Sequence, residues 1–189
     1  HCFPSQVMNI VNEELDCVYW SRKEIPDDLR KAGRAVVRAF PARSRFFHLE
    51  FFIARQDIKG LAKKGEIIGL EVNMRPPGGY TLDMMNYAAD IDVYRIWADM
   101  VTKDKTEVDS LNKRYHTVYG ARRNNHKYPK TLDEVRKKYK GIVMDQEVPS
   151  GIADAMGDYM IVVRVENKKE ILPFLEMMTG GKIDAGNLL

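Results

Sequence analysis

Four polar residues lie within two apolar segments of the 189-residue chain and carry side chains that bind metals or anions. Glu50 lies in FFHLEFFI, and Glu71, Asn73 and Arg75 lie in GEIIGLEVNMR. Carboxylate and amide oxygens are hard ligands suited to Mg²⁺, which proteins usually hold with few side chains together with substrate phosphates. An arginine beside such ligands suits an anion. These residue types therefore indicate a platform for a metal-bound phosphate.

The second apolar segment is expected to be a strand that carries its polar residues on one face. Successive strand residues project to opposite faces of a sheet, so Glu71 and Asn73 share a face. Arg75 shares that face as well if the strand extends so far. The opposite face is expected to carry Ile68, Leu70 and Val72.

The first apolar segment is expected to pair with the second as an antiparallel hairpin. Its alternation places Glu50 on one face with His48 and Phe52. The other face is expected to carry Phe47, Leu49, Phe51 and Ile53. In such a hairpin Glu50 comes close to Glu71 and Asn73. The same alternation is also typical of the solvated face of a half-buried sheet, so both interpretations stay open.

The sequence PPGGYT over residues 76–81 is expected to end the second strand and to start a helix. Thr81 is predicted to cap a helix over residues 82–88. The turn at Gly78 and Gly79 then leads into the N-terminus of that helix, where backbone N–H groups favour an anion. Metal ligands, an arginine and an anion site would thus follow one another along the chain.

The motif residues resemble those of a known superfamily. HLEFF followed by GLEVNMRPPGG resembles the C-terminal half of an ATP-grasp domain. That superfamily includes biotin carboxylase, carbamoyl-phosphate synthetase and carboxylate–amine ligases. The resemblance covers the sequence around Glu50 and from Gly69 to Thr81. It implies an ATP-dependent ligase that activates a carboxylate as an acyl phosphate for attack by an amine or a similar nucleophile.

The resemblance also implies a role for each motif residue. Glu50 and Glu71 would coordinate Mg²⁺ or Mn²⁺ bound to the ATP phosphates, and Asn73 would complete the shell of a second ion. Arg75 would be the catalytic residue that stabilises the acyl-phosphate intermediate. The acceptor carboxylate would be held by Gly78, Gly79 and Thr81. The implied partners are ATP and a small carboxylate-containing substrate.

The chain departs from the superfamily pattern at the nucleotide site. ATP-grasp enzymes carry a nucleotide-binding lid ahead of the metal strands, and only about 45 residues precede Phe46 here. We therefore expect this chain alone to be inactive, as part of a larger ligase, and assign it no nucleotide-binding residues. The alternative is a non-catalytic α+β module that binds a protein or an anionic partner.

The fold class that we expect is α+β, with an antiparallel sheet flanked by helices, as in the C-terminal ATP-grasp subdomain, and a smaller α+β unit after it. The polar stretch 102–112 has no periodic apolar face and predicts a connection. We therefore predict part of a catalytic core over residues 1–104, a small C-terminal domain over 113–180 and a mobile tail over 181–189.

Local signals predict the remaining helices and strands. Apolar periodicity and capping residues predict helices over residues 27–40, 93–101, 132–139 and 171–178. Alternating or apolar runs predict strands over residues 17–20, 115–121, 142–144 and 159–166. Asp92 is expected to cap the second of these helices, and Thr131 with Glu134 is expected to form a capping box on the third.

The basic pair Arg122 and Arg123 follows the strand predicted over residues 115–121. It could contact a phosphate, or it could contact nucleic acid with neighbouring tyrosines as stacking partners. A charged hairpin end is more often simply solvated, and we favour that interpretation.

Composition excludes some classes of protein. The formal net charge of +3 is too small to indicate nucleic-acid binding by itself. No apolar run approaches the ~18 to 20 residues of a membrane span. Cys2 and Cys17 give neither a disulfide framework nor metal-ligand spacing, so we expect a reducing, cytoplasmic setting.

Overall fold

A computed structural model describes residues 1–40, 43–108 and 112–186 of the chain. Within these ranges the helices are α1 (Val7–Asn12), α2 (Asp27–Ala39), α3 (Thr81–Ala89), α4 (Val93–Lys103), α5 (Leu132–Lys138), α6 (Ala153–Met156) and α7 (Ile171–Thr179). The strands are β1 (Val18–Trp20), β2 (His48–Ile53), β3 (Ile67–Asn73), β4 (His116–Arg122), β5 (Ile142–Glu147) and β6 (Tyr159–Val165). All strand pairs are antiparallel, so the expected α+β class is confirmed.

The chain divides into two compact units that interleave along the sequence. Unit 1 comprises His1–Lys23, Gly79–Ile91 and Leu111–Leu189, and unit 2 comprises Glu24–Gly78 and Asp92–Ser110. The predicted domains, 1–104 and 113–180, instead followed the chain in order. In the structure β1 and α3 pack with the C-terminal elements, because β1 extends their sheet and α3 covers one of its faces.

Unit 1 is built on a four-stranded antiparallel sheet with the order β1–β4–β6–β5. The central strands β4 and β6 pair along their whole length, from His116 opposite Val165 to Arg122 opposite Tyr159. Helices cover both faces of these strands, and nearly all of their residues are buried. This double burial explains why their sequences are almost continuous apolar runs rather than a strict polar–apolar alternation.

Each face of this sheet has its own apolar core. One core joins strand residues to α5 and α7, and its members include Trp20, Val118, Ile161, Val163, Ile171, Phe174, Leu175 and Met178. The other joins strand residues to α1 and α3, through Ile10, Tyr19, Met84, Tyr119, Met160 and Val162. The apolar residues that recur at helical spacing in α7 are Ile171, Phe174, Leu175 and Met178. All four lie in the first core, so the periodicity identified the buried face of that helix correctly.

The prediction of a solvated basic turn at Arg122 and Arg123 is wrong, because only 7% and 8% of these residues is exposed. Arg122 donates from Nε to the carbonyl of Met178 at 2.8 Å and from Nη2 to that of Met177 at 3.1 Å. These carbonyls belong to the last turn of α7, where no following turn of the helix supplies them with N–H donors. Burial lowers the pKa of Arg122. Its side chain therefore serves as a cap inside unit 1.

Arg123 ties two further helices to the sheet. Its Nε donates to the carbonyl of Leu15 at 2.9 Å, and its Nη2 donates to those of Ile10 at 3.2 Å and Asp154 at 2.6 Å. Ile10 lies in the last turn of α1, Leu15 follows that helix, and Asp154 lies in α6, so the guanidinium joins these segments to β4 through their backbone carbonyls. With both guanidinium groups bonded to the protein, the phosphate and nucleic-acid interpretations of this turn have no support.

Unit 2 contains the hairpin of β2 and β3 together with α2 and α4. Leu49 of β2 packs over Gly33 of α2, where a Cβ atom would lie 3.8 Å from Leu49 Cδ1. Trp97 of α4 packs against Phe46, with 5.6 Å between ring centroids. Asp92 caps α4 as predicted, since its Oδ1 accepts a hydrogen bond from the backbone N–H of Arg95 at 3.0 Å.

The remaining local predictions have mixed outcomes. Thr131 and Glu134 form the predicted capping box on α5. The short helices α1 and α6 were not predicted, because six and four residues are too few to show a helical period. In the predicted tail, Ala185 is buried and Ile183 packs on the core, while residues 187–189 lie outside the described residues. Residues 109–111 of the predicted connection also lie outside them.

No helix in the described part of the chain combines the length and the apolar character needed to cross a membrane.

Candidate functional site

The hairpin register brings together the polar residues that the sequence singled out. Glu50 of β2 lies directly opposite Glu71 of β3, and His48 lies directly opposite Asn73. Directly opposed residues of an antiparallel pair project from the same face, and residues two apart on one strand share that face. The hairpin therefore presents four polar side chains, from His48, Glu50, Glu71 and Asn73, as one cluster, which we call the carboxylate face.

A β-bulge lies immediately beside this cluster. The register shifts between Glu50 and Phe51, so that Phe51 pairs with Gly69 and the extra residue on β3 is Leu70. The prediction that Ile68, Leu70 and Val72 share a face is therefore wrong. Val72 pairs with Leu49, and Ile68 pairs with Phe52 three residues further along β2, which places the two on opposite faces. Alternation cannot reveal an inserted residue, since each strand on its own still alternates.

Among the described residues, no lysine or arginine forms an ion pair with the two carboxylates of the carboxylate face. Glu50 has one polar contact within the described residues, to His48, and Glu71 is exposed and has none. Like charges directly opposite each other destabilise a sheet. A divalent cation between the two carboxylates would remove that repulsion, and two carboxylates with an amide oxygen suit Mg²⁺ or Mn²⁺. The donor set thus fits such an ion.

Asn73 adds an amide side chain to the carboxylate face. Its Nδ2 is shielded from solvent and has no hydrogen-bond partner within the residues that the structure describes. With the nitrogen turned to the shielded side, Oδ1 is the atom left for a ligand. No group of three or more His, Cys, Asp or Glu side chains in the described ranges could hold a metal by itself. A cation here would depend on waters or ligand oxygens for the rest of its shell, as Mg²⁺ commonly does.

Arg75 does not belong to the strand that carries the carboxylates. β3 ends at Asn73, so the condition under which Arg75 was expected to share a face with Glu71 and Asn73 is not met. The Arg75 side chain is exposed, and its Nη1 donates to the neighbouring carbonyl of Pro76 at 3.0 Å. That local bond leaves most of the guanidinium donors open to an anion.

The predicted substrate loop is divided between the two units. Gly78 is the last residue of this segment of unit 2, and Gly79 and Thr81 belong to unit 1. Gly79 has φ +60°, and a Cβ atom there would lie 3.1 Å from Met156 Cε, so this position favours glycine. Thr81 is the first residue of α3 and its side chain makes no capping bond, so its predicted role as the cap is wrong.

Two cavities of the described residues are lined by residues other than the predicted site residues. One, of about 450 Å³, is lined by residues of α5, β6 and the start of α7, including Lys138, Tyr139 and Lys169. The other, of about 370 Å³, lies within the loop that joins β2 to β3.

Sequence reasoning placed His48 on the correct face but left it out of the site. The structure shows that its Nε2 lies 3.2 Å from Oε1 of Glu50. The signal was available in the sequence, because His48 and Glu50 are two residues apart on a predicted strand. What alternation could not give was the rotamer that joins them.

No family model and no curated protein matches the sequence.

Proposed function

We propose that this chain is part of an ATP-dependent ligase of the ATP-grasp type, which activates a carboxylate as an acyl phosphate. In this proposal the hairpin of β2 and β3 belongs to the C-terminal subdomain of the catalytic core. The substrates are ATP and a small carboxylic acid, and an amine or a similar nucleophile completes the reaction.

The observation that carries the proposal is the register of the hairpin. It places Glu50 opposite Glu71, with Asn73 two residues along on the same face. A purely solvated sheet face gains nothing from two opposed carboxylates, because their repulsion costs stability. A cation site gives the arrangement a physical reason. The sequence motif that led to these residues supports the same function.

Each residue then has a chemical task. Glu50, Glu71 and Asn73 would hold Mg²⁺ or Mn²⁺, which when bound neutralises part of the charge on the ATP phosphates. The exposed guanidinium of Arg75 would contact the anionic intermediate, with bidentate geometry that a lysine could not supply. Gly78, Gly79 and Thr81 would approach the acceptor carboxylate through backbone N–H groups.

The proposed reaction has two balanced steps. A carboxylate oxygen attacks the γ-phosphorus of ATP, the bond to the bridging oxygen breaks, and ADP leaves. The nucleophile then attacks the carbonyl carbon, the bond from this carbon to the phosphate oxygen breaks, and phosphate leaves as the nucleophile loses a proton. Both steps concentrate negative charge, so fixed positive charge is what the protein must provide.

Titration of Mn²⁺ into the chain, followed by calorimetry or electron paramagnetic resonance, tests the metal site directly. We expect wild-type binding to weaken at least tenfold in Glu71→Gln, which keeps the side-chain size and removes the charge. The matched control is Glu107→Gln, which removes an exposed carboxylate of unit 2 outside the hairpin and should bind Mn²⁺ like the wild type.

A second titration separates the arginine from the metal ligands. Arg75→Met should weaken binding of Mn²⁺–ATP and leave binding of Mn²⁺ alone unchanged, because Arg75 is assigned to the anion. Equal Mn²⁺ affinity in the wild type and Glu71→Gln would refute the site. Equal losses of Mn²⁺ affinity in Glu71→Gln and Glu107→Gln would show that Mn²⁺ is attracted to negative charge in general and not to a specific site.

A further inference from the structure

A cavity of about 450 Å³ lies in unit 1, where the end of α5 and the start of α7 meet β6. Its volume is within the range of sites that bind small organic molecules, about 300–1,000 Å³. The buried side chains that line it are Tyr139, Val163 and Val165, and the exposed charged side chains that line it are Lys138, Lys140, Lys169 and Glu170. We call this site the lysine cavity. It combines an apolar interior with charged side chains at the surface, as ligand sites commonly do.

Close packing holds the walls of the lysine cavity in place. The N–H of Arg164 on β6 donates to the carbonyl of Gly141 at 2.8 Å. A Cβ atom at Gly141 would collide with the carbonyl oxygen of Arg164, so this close approach needs glycine. The ring of Tyr139 packs against Phe174, whose ring lies edge-on with 5.1 Å between centroids. The fold itself therefore builds the cavity.

The exposed side chains of the cavity carry an excess of positive charge. The Nζ of Lys138 lies 5.3 Å from the centroid of the Tyr139 ring, which keeps this cation beside the apolar interior. Within the described residues, neither Lys140 nor Lys169 forms an ion pair. Three lysines against one glutamate give these side chains a net charge of +2. Such a charge favours an anion.

The guanidinium of Arg164 does not add to this charge, although the residue lines the cavity. Val163 and Val165 belong to the core shared with α5 and α7, so alternation directs the side chain between them to the opposite face of the sheet. There its Nη1 donates to Oδ1 of Asp90 at 3.0 Å, and its Cζ lies 4.6 Å from the centroid of the Tyr115 ring. The lysines therefore supply the cations of the site.

We propose that the lysine cavity binds a small phosphate monoester with an apolar or aromatic body. A phosphate monoester carries a charge of about −1.5 to −2 at pH 7, which the net charge of the exposed side chains balances. Lysines bind phosphate as point charges and need no fixed geometry for it. The body of the ligand contacts Tyr139, Val163 and Val165. The inference does not rest on the proposed function, because the cavity belongs to unit 1 and the hairpin to unit 2.

Titration of phenyl phosphate into the full chain, followed by ¹H–¹⁵N nuclear magnetic resonance spectra, tests the site. We expect a dissociation constant on the order of 1 mM, ordinary for so small a ligand, with shifts of the amide signals of Lys140 and Val165. Phenol and inorganic phosphate each carry one half of the ligand, and each should bind at least about tenfold more weakly. Absence of phenyl phosphate binding, or binding that leaves both amide signals unshifted, overturns the inference.

Exposed lysines that are neighbours in sequence provide matched controls. Lys140→Gln and Lys169→Gln should each weaken phenyl phosphate binding about threefold at about 0.15 M salt. Lys137→Gln and Lys168→Gln remove the same charge from exposed residues that do not line the cavity, and both should bind like the wild type. Glu170→Gln removes the negative charge from the cavity and should strengthen binding about threefold. A gain of affinity of this kind does not arise from damage to the fold.

The remaining outcomes decide the class of ligand. Equal losses of affinity in all four lysine variants overturn the inference, because the anion would then be attracted to the positive charge of the surface in general. Equal affinities for inorganic phosphate and phenyl phosphate overturn it as well, since the apolar interior would then contribute nothing. Tighter binding of benzoate than of phenyl phosphate would assign the cavity to carboxylates and overturn the choice of a phosphate monoester.

Discussion

Unit 1 and unit 2 bury their apolar side chains to very different extents. In unit 1 both faces of the sheet have a core, with residues such as Trp20 and Phe174 completely buried. In the described part of unit 2 the buried apolar residues are Ala54 and Val93. Large apolar side chains of unit 2 that remain exposed are Ile25, Phe40, Phe47, Phe52, Ile53, Ile58, Leu61, Leu70, Val72, Tyr94, Trp97 and Val101.

This difference shows what stabilises each unit. Burial of a large apolar side chain contributes about 1.5–3 kcal/mol, so unit 1 is stabilised by packing between elements that are distant in sequence. Unit 2 depends on local devices, namely a helix cap, cross-strand pairs and a bulged hairpin. A two-stranded sheet is only marginally stable in water. The carboxylate face therefore lies on the less strongly packed of the two units.

The chain's two tryptophans allow the units to be followed separately. Trp20 lies in the core of unit 1, and Trp97, which is 39% exposed, lies on α4 of unit 2. Urea unfolding followed by fluorescence in Trp97→Phe reports unit 1 alone, and the difference from the wild type reports unit 2.

The largest expected effect comes from truncating a buried phenylalanine in unit 1. Phe174→Ala should lower the free energy of unfolding by about 3–5 kcal/mol, because it leaves a cavity next to Tyr139, whose ring lies edge-on at 5.1 Å. Phe52→Ala in unit 2 should cost about 1 kcal/mol or less, since Phe52 is 36% exposed. Similar losses for the two variants would mean that the units are packed alike.

Removing a buried arginine from unit 1 should have the next largest effect. Arg123→Met keeps the aliphatic stem but removes the buried donors to the carbonyls of Ile10, Leu15 and Asp154, which should cost about 3 kcal/mol in urea unfolding. Arg75→Met in unit 2 is the control and should cost less than about 0.5 kcal/mol, because its guanidinium is exposed. A small effect of Arg123→Met would show that water replaces the guanidinium at these carbonyls.

Mn²⁺ should stabilise unit 2 and leave unit 1 unaffected. A ligand that binds only the folded state contributes about 2.7 kcal/mol at a free concentration of 100 times its dissociation constant. The unfolding transition assigned to Trp97 should therefore move to higher urea, while that of Trp20 should stay in place. Glu71→Gln should abolish the shift. An equal shift of both transitions would place the ion outside the hairpin.

Alkaline pH should destabilise unit 1 through Cys17. Burial raises the pKa of this thiol from 9.0 to about 12. The folded state then keeps a proton that the unfolded state loses, so stability falls as pH rises from about 9 to 12. Cys17 should account for about 2 kcal/mol between roughly pH 9 and 10.5.

The control for this pH effect is Cys17→Ala. The change of its unfolding free energy with pH, and not its absolute stability, is compared with that of the wild type. Its loss of stability over the same interval should be about 2 kcal/mol smaller than that of the wild type. An unchanged slope would assign the alkaline sensitivity to other groups, such as Tyr19, whose pKa burial also raises.

The smallest effects are expected from the helix caps, since each unit contains one helix with a side-chain cap that can be removed. Asp92→Ala removes the cap of α4 in unit 2, and Thr131→Ala breaks the capping box of α5 in unit 1. Each should cost about 1 kcal/mol, because both leave a backbone N–H without its acceptor. A cap that mattered in only one unit would mean that the surrounding packing, and not the local bond, sets its contribution.

Much of the secondary structure could be predicted from local patterns. The stripe on α7, the cap at Asp92 and the capping box at Thr131 depend on residues within about one helical turn, so sequence spacing is enough to identify them. The closeness of Glu50 to Glu71 and Asn73 was predicted from the alternation of the two strands, and the observed register agrees with it. Thr81 was mispredicted because the helix begins one residue earlier than its capping chemistry suggested.

The candidate site was only partly predictable. Sequence spacing put Glu50, Glu71 and Asn73 on one face, and the hairpin register agrees. The bulge at Leu70 and the contact between His48 and Glu50 came from the structure. A bulge depends on how two strands fit each other, and a side-chain contact depends on rotamers, so neither follows from the pattern of one strand.

By itself the sequence determined most of the helices and strands, the hairpin and the residue types of the carboxylate face. Only the tertiary structure decided that β1 and α3 join the C-terminal elements in unit 1 and that Arg122 and Arg123 are buried caps. The physical reason is the range of the interactions. Caps and alternation act between residues that are close in sequence. Arg123 and Ile10 are 113 residues apart, and they come into contact only when the sheet and the helices have folded together.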